Sequence, residues 1–189
     1  MKIVLASTSP RRRQIMDEMG VVYVAVAPTF VESPRADLSP ESEAKLFAYE
    51  KAKSVAAEFP KALIIGSDTL IECDGRKIGK PRDATDACDM LGFLCGRTHR
   101  IYTAVSVLNT ADGTHIEHLE TIDVTMRPAL FEEISVYVAT GEPLDKAGSY
   151  AIQGEGKKFI SKIDGDYWSA VGLPALWISE QLAQFKEQL

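Results

Sequence analysis

Three cysteines and three histidines are all that this 189-residue chain carries of the residues that most often staple folds or ligate metals. Cys73, Cys88 and Cys95 are odd in number and contain no Cys-x-x-Cys pair, which disfavours both a disulfide framework and a structural zinc site. Reduced, mostly buried thiols are the expectation. His115 and His118 lie three apart in a segment patterned as a strand, so they face opposite sides, and with His99 they make no metal cluster. No apolar run approaches the roughly eighteen residues of a membrane span, and the stretch after Met1-Lys2 is too short for the apolar part of a secretory signal. A soluble, cytoplasmic protein is expected. Positive charge is also lacking: the formal net charge is −6. That argues against a nucleic-acid partner, because such surfaces need clustered cations to displace counterions from phosphates.

One local exception stands out. Arg11, Arg12 and Arg13 are consecutive in an acidic protein, a pattern better suited to a small anionic ligand than to a polymer. Hydrophobic content of 46% and charged content of 25% are ordinary globular values. The length suits one domain, residues 1–189, or two closely joined lobes with no legible boundary.

Lys2 to Ala6 reads as a strand, and Ser9-Pro10 as the cap and first residue of a helix running to about Met19 and stopped by Gly20. A strand at Val21 to Val26 and an irregular stretch from Pro28 to Pro40 follow. Ser39-Pro40 opens a second helix that reaches about Phe59. Ala62 to Gly66 is a buried strand, and Leu70 to Cys73 with Lys77 to Gly79 flank the hairpin signal Asp74-Gly75. Asp83 caps a helix to about Cys95. His99 to Asn109 and Ile116 to Arg127 form a second hairpin around Asp112-Gly113. Leu130 to Ala139 is helical, Lys158 to Ile163 extended, and Leu173 to Phe185 a closing amphipathic helix. The order predicts a mixed α/β sheet with flanking helices.

Six features carry candidate chemistry. Ser7 to Arg13 joins the first strand to the first helix, where free backbone N–H groups and the helix dipole attract an anion. Cations at a helix start oppose that dipole, so three arginines there call for a compensating anion; the alternative is a capped helix with a solvated basic turn. Lys51 falls on the same helical face as Ala44, Phe47, Ala48 and Val55, either snorkelling from the stripe's edge or placed for function. Asp68, in Ser67-Asp68-Thr69, follows the strand ending at Gly66 and could hold a metal or orient water; it could equally be a turn former. Glu32 could supply a second hard oxygen to Mg2+ or Mn2+, or be a surface carboxylate. Lys80-Pro81 fixes a lysine on extended backbone, either aimed at a phosphate or simply ending a strand. Gln153-Gly154-Glu155-Gly156 lacks the ending of a P-loop and reads as a loop that lets backbone approach a ligand.

In combination and in order, these residues resemble the Maf family of nucleotide pyrophosphatases. The resemblance rests on Ser7-x-Ser9-Pro10-Arg11-Arg12, Glu32, Glu50-Lys51-Ala52, Gly66-Ser67-Asp68-Thr69, Gly79-Lys80-Pro81, Asp145-Lys146-Ala147-Gly148-x-Tyr150-x-Ile152-Gln153-Gly154 and Val171-Gly172-Leu173-Pro174. It implies two lobes around a cleft, similar to inosine triphosphatases, and a divalent cation, Mg2+ or Mn2+. It also implies cleavage of a nucleoside triphosphate between the α and β phosphates. By the same resemblance Asp68 is the catalytic and metal-binding acid and Glu32 its metal-binding partner. Ser7, Arg12, Lys51 and Lys80 match the phosphate-binding positions. Arg11, Thr69 and Gln153 resemble the branch acting on dTTP and UTP, and no tryptophan follows Pro10 as in the 7-methylguanosine-triphosphate branch. A homodimer is a family-level expectation. The alternatives are action on other modified nucleotides, or a nucleotide-binding regulator of septum formation. The role of Arg13 stays open.

Overall fold

The computed structural model describes residues 1–187. Its elements are β1 (Lys2–Ala6), α1 (Pro10–Glu18), β2 (Val24–Val26), α2 (Pro40–Ser54), β3 (Ala62–Cys73), β4 (Arg76–Ile78), α3 (Ala84–Leu94), β5 (Thr98–Asn109), β6 (His115–Met126), α4 (Phe131–Val138), β7 (Ile160–Asp164), α5 (Tyr167–Val171) and α6 (Ala175–Glu187). The seven strands form one sheet in the order β2-β1-β3-β5-β6-β7, with β4 added beside β3. β1 pairs in parallel with β2 and β3, and every other pairing is antiparallel. The expected mixed α/β sheet is what forms.

Side-chain alternation along β3 assigns its two faces. Ala62 and Ile64 join Val4, Ala6, Ala52 and Val55 beneath α2. Leu63 and Ile65 face the larger core, with Ile15 and Met16 of α1, Leu91 of α3, Ile134 of α4 and Ile178 of α6. The capping signals hold at atomic detail. Ser9 and Ser39 accept from the N–H groups of Arg12 and Ser42 at 3.5 and 3.3 Å, and Asp83 accepts from Asp86 at 2.8 Å. Asp74 and Gly75 turn the β3–β4 hairpin with φ of 51° and 77°, the doubly positive pair that suits the twist of a two-residue hairpin.

Several expectations shift. β3 does not stop at Gly66; Ser67, Asp68 and Thr69 stay extended because β5 pairs with every residue from Leu63 to Glu72. Asp68 is therefore a mid-strand residue rather than one that follows a strand. α2 ends at Ser54, and a short 3-10 turn over Ala56–Glu58 completes what reads in sequence as one helix. β2 starts only at Val24, and α5, capped by Asp166 through Ser169 N–H at 2.6 Å, has no counterpart in the sequence reading. Of the cysteines only Cys73 is buried; Cys88 and Cys95 are partly exposed, and all three are free thiols. His115 and His118 do face opposite sides, one against Tyr49 of α2 and the other stacked on Trp177 of α6.

Candidate active site

The site lies where the sheet is interrupted. On one edge β3 pairs with β1 only through Gly66, and with β4 only from Ile71 onward. Between them Ser67 to Leu70 have no strand neighbour on that edge. The loop leaving β1 and the segment leaving β4 border this gap, so Ser7 to Arg12 come from one side and Lys80 from the other. Adjacent residues of a strand point to opposite faces. A ligand in the gap thus meets Asp68 on the α2 face and Thr69 on the α1 face. The resulting cavity has a volume of about 500 Å3, within the usual range for small-molecule sites.

On the α2 face the central group is a buried lysine. Lys51 is 6% exposed and Asp68 5%. The Lys51 ammonium donates to Asp68 Oδ1 at 2.5 Å and lies 2.6 Å from Glu32 Oε1. Its position depends on Gly66: a Cβ there would overlap the Ala48 carbonyl oxygen and the Ala52 N–H of α2. Glycine lets the helix backbone settle on the strand, which brings Lys51 within reach of the carboxylate two residues further along. The lysine on an apolar face is therefore neither snorkelling nor solvated.

The two carboxylates are pushed apart in acidity. Burial drives the Asp68 pKa above the usual range, against the opposing pull of Lys51 and Arg12. Burial also acts on Glu32, but the hydrogen bond and charge of Lys51, with Lys80 and Arg12, outweigh it and leave the Glu32 pKa below the usual value. Asp68 Oδ2 is buried and has no hydrogen-bond partner within the protein. A buried acceptor without a donor is costly unless a ligand supplies one.

The α1 face is organised by hydroxyls and one arginine. Ser7 Oγ accepts from the Ser9 N–H at 3.1 Å. Arg12 donates from Nε to the Gly172 carbonyl at 2.8 Å and from Nη2 to Thr69 Oγ1 at 3.1 Å. Desolvation lowers its pKa, offset in part by Asp68. Ser67 Oγ donates to the same Gly172 carbonyl at 3.0 Å, so the turn after α5 is latched onto both α1 and β3. Thr103 Oγ1 donates to the Ser169 carbonyl at 2.7 Å and lies 3.1 Å from Thr69 Oγ1. A carbonyl only accepts and a guanidinium only donates, so the chain has one direction: Arg12 to Thr69, Thr69 to Thr103, Thr103 to Ser169. Thr69 retains only a lone pair for a ligand.

Ser7, Arg11, Arg12, Glu32, Lys51, Asp68, Thr69 and Lys80 all line the one cavity. Gln153 does not: it is exposed and lies outside the lining. Arg13 is also exposed, and its carbonyl accepts from Tyr23 Oη at 3.1 Å. The Gly-rich loop does let backbone approach an anion, but an internal one. Glu142 accepts from the N–H groups of Glu155 and Gly156 at 3.2 and 3.1 Å. Sequence reasoning missed the apolar wall of Ile71, Ile101, Tyr150 and Ile152, and the bond of 2.6 Å between Tyr150 Oη and His99 Nε2 behind it. Alternation from Thr69 to Ile71 was the available signal for that wall. The cavity also holds Lys146 and Asp145, giving five cations against three carboxylates, a positive chamber in a protein of net charge −6.

A mixed sheet broken beside a lysine and two acids, with hydroxyls and arginines at a helix start, defines an α/β protein built to take an anionic ligand. The chain belongs to the Maf family, since the profile described as Maf-like protein matches residues 2–185. It is 44% identical over 185 residues to the dTTP/UTP pyrophosphatase of Moorella thermoacetica, covering 97% of this chain and 95% of that protein. Identity to the dTTP/UTP pyrophosphatase of Bacillus velezensis is 41%, with 97% and 96% covered. For the enzyme of the same name from Dictyoglomus turgidum it is 40%, also with 97% and 96% covered.

Proposed function

We propose that this protein hydrolyses nucleoside triphosphates between the α and β phosphates, releasing a monophosphate and pyrophosphate, with dTTP and UTP as its preferred substrates. The observation that carries the reading is the Lys51-bridged pair of Glu32 and Asp68 in the sheet gap, with Asp68 Oδ2 buried and unpartnered. The names of the full-length relatives support the substrates.

Ser7, Arg11, Arg12, Lys51 and Lys80 offer the donors that a triphosphate requires, and a positive chamber raises the local concentration of an anion. In the reaction a water oxygen bonds to one phosphorus of the α–β bridge, the bond from that phosphorus to the bridging oxygen breaks, and the monophosphate and pyrophosphate separate. Asp68 takes the water proton. An aspartate at its ordinary pKa near 3.9 is a weak base for water, and the upward push from burial moves Asp68 in the useful direction. Lys51 keeps the Asp68 carboxylate oriented and balances the charge of both acids.

The acids also fit a divalent cation. No cluster of three or more metal-ligating side chains occurs among the described residues, so an all-protein cage is absent there. Mg2+ and Mn2+ need less: one or two carboxylates complete their shell with substrate phosphates and water. Glu32 would hold the cation, with Asp68 beside it, and the cation when bound would neutralise charge on the pyrophosphate.

Pyrimidine preference is supported by Thr69, whose committed proton leaves an acceptor for the N3–H that uracil and thymine carry and cytosine lacks. Arg11 borders the same cavity, whereas Gln153 does not. A panel of triphosphates with Mg2+ or Mn2+ tests the reading: pyrophosphate should appear fastest from dTTP and UTP. Orthophosphate as the product would overturn the bond assignment. Nucleotide binding without hydrolysis in either metal would favour the regulatory alternative.

A further inference from the structure

Residues 27–39, which carry Glu32, form neither helix nor strand, yet Glu32 meets Lys51 at 2.6 Å. Two pins hold the segment on α2. Ahead of Glu32, Thr29 N–H donates to Ser54 Oγ at 3.2 Å, and Phe30 meets Phe47 edge-on with centroids 5.4 Å apart. Beyond it, Arg35 N–H donates to Glu43 Oε1 at 2.8 Å, and the Arg35 carbonyl accepts from Lys77 Nζ at 2.7 Å. Lys77 and Glu43 are themselves ion-paired. Glu43, Phe47, Lys51 and Ser54 recur at intervals of four, four and three, so they form one stripe of α2. The lysine that binds Glu32 sits between the residues that grip the segment on either side.

Glu43 is 1% exposed. A buried carboxylate is costly to keep, and tying a loop to a helix needs no charge. Both Glu43 oxygens are spent on this one point, and the partner lysine comes from β4, three residues before Lys80. The pair therefore joins the three elements that supply Glu32, Lys51 and Lys80.

We propose that Glu43 and Lys77 are a positioning pair that fixes the Glu32 segment, and with it Glu32, against Lys51 and Asp68. This rests on the reading of Glu32 as a site acid. Residues that orient such acids typically change metal affinity or activity by about 10–100-fold when lost. Glu43→Met removes the acceptor for Arg35 at similar volume, whereas Glu43→Gln keeps it. Glu43→Met should lower kcat for UTP by about tenfold or more, with KM within about threefold, and Glu43→Gln should recover most of the loss. Titration of Mn2+ into protein saturated with α,β-methylene-UTP should need about tenfold more metal in Glu43→Met. In a Glu32→Gln background the second change should add no more than about twofold to either measurement.

Equal factors in both backgrounds, or unchanged kcat and Mn2+ binding in a folded Glu43→Met protein, would overturn the proposal. Should Glu43→Met not fold, Lys77→Gln, whose side chain is 29% exposed, carries the same cycle with the same expected and overturning outcomes. A fully active Glu32→Gln enzyme would overturn both the role of Glu32 and the pair. An impaired Glu32→Gln enzyme beside an unaffected Glu43→Met enzyme would overturn the pair alone.

Discussion

Replacing Lys51 by methionine keeps an unbranched chain, one atom shorter, and removes the charge that two acids share. Asp68 would then be a carboxylate 5% exposed, with no cation in contact and one oxygen already unpartnered. Removing one member of a buried ion pair typically costs about 3–5 kcal/mol, because the other charge is left uncompensated. For a chain of this size each kcal/mol lowers the melting temperature by about 2–4 °C, so the variant should melt roughly 6–20 °C lower near neutral pH. The pH dependence separates this cause from simple loss of packing. Without Lys51 the Asp68 pKa rises further above its unfolded value. A group with a raised folded pKa contributes stability below its unfolded pKa and loses it as pH rises. Glu32 works in the same direction: its folded pKa is lowered mainly by Lys51, and the stability this gives above the unfolded pKa disappears with the lysine. The deficit should therefore be small near pH 4 and grow toward pH 8, by no more than about 1.4 kcal/mol per unit for each group. Thermal melts by circular dichroism at pH 4, 6 and 8 measure it. A melting temperature within 2 °C or so of the parent at every pH, on the scale set by that conversion, would refute the coupling of Lys51 to a buried Asp68 charge.

Asp68→Asn should stay folded and lose about 10²–10⁴-fold in kcat, measured as pyrophosphate release; full activity would exclude Asp68 as the base. Gly66→Ala should cost at least about 1–3 kcal/mol and also depress activity, because α2 must back away from β3 and take Lys51 with it; denaturant melts with parallel assays would show both. Thr69→Val should lower kcat/KM for UTP about tenfold or more relative to CTP, while Gln153→Ala should leave that ratio unchanged. His99 is buried and neutral, with burial bringing its pKa down to about 4. Its folded pKa lies below the unfolded 6.5, so stability should fall by about 3 kcal/mol as pH drops through that window, and His99→Phe should flatten this part of the profile.

Fold and site were legible in the sequence to different depths, for physical reasons that individual residues show. Capping positions were read correctly at Ser9, Ser39 and Asp83 because a cap is a local contract between a side chain and an N–H three residues away. The turn at Asp74-Gly75 is local in the same way. The continuity of β3 was not. Ser67-Asp68-Thr69 has the composition of a turn, and only the unbroken ladder to β5, some forty residues later, holds it extended. The placement of Gln153 is non-local in the same way. Its neighbours Tyr150 and Ile152 face the cavity wall, while the side chain at 153 lies outside the lining. Membership of a motif does not say which way a side chain points.

The arginines at the helix start show how one anomaly divides once the fold is known. The three are adjacent in sequence, but a helix turns about 100° per residue, so adjacent side chains leave in different directions. Arg12 turns inward and is held by Gly172 and Thr69, Arg11 borders the cavity, and Arg13 faces out. Only the first two bear on a ligand. Their repulsion for the helix dipole is offset locally by acceptors across the gap: the Gly172 carbonyl takes the Arg12 Nε–H, and the Asp68 charge supports the guanidinium from the other face of β3. The same strand thus offers an acid to one side and a hydroxyl tied to the arginine on the other. A linear triphosphate laid through the gap would meet Asp68 and Lys51 on one face of β3 and Arg12 on the other, a placement that requires the sheet edge between Gly66 and Ile71 to stay unpaired.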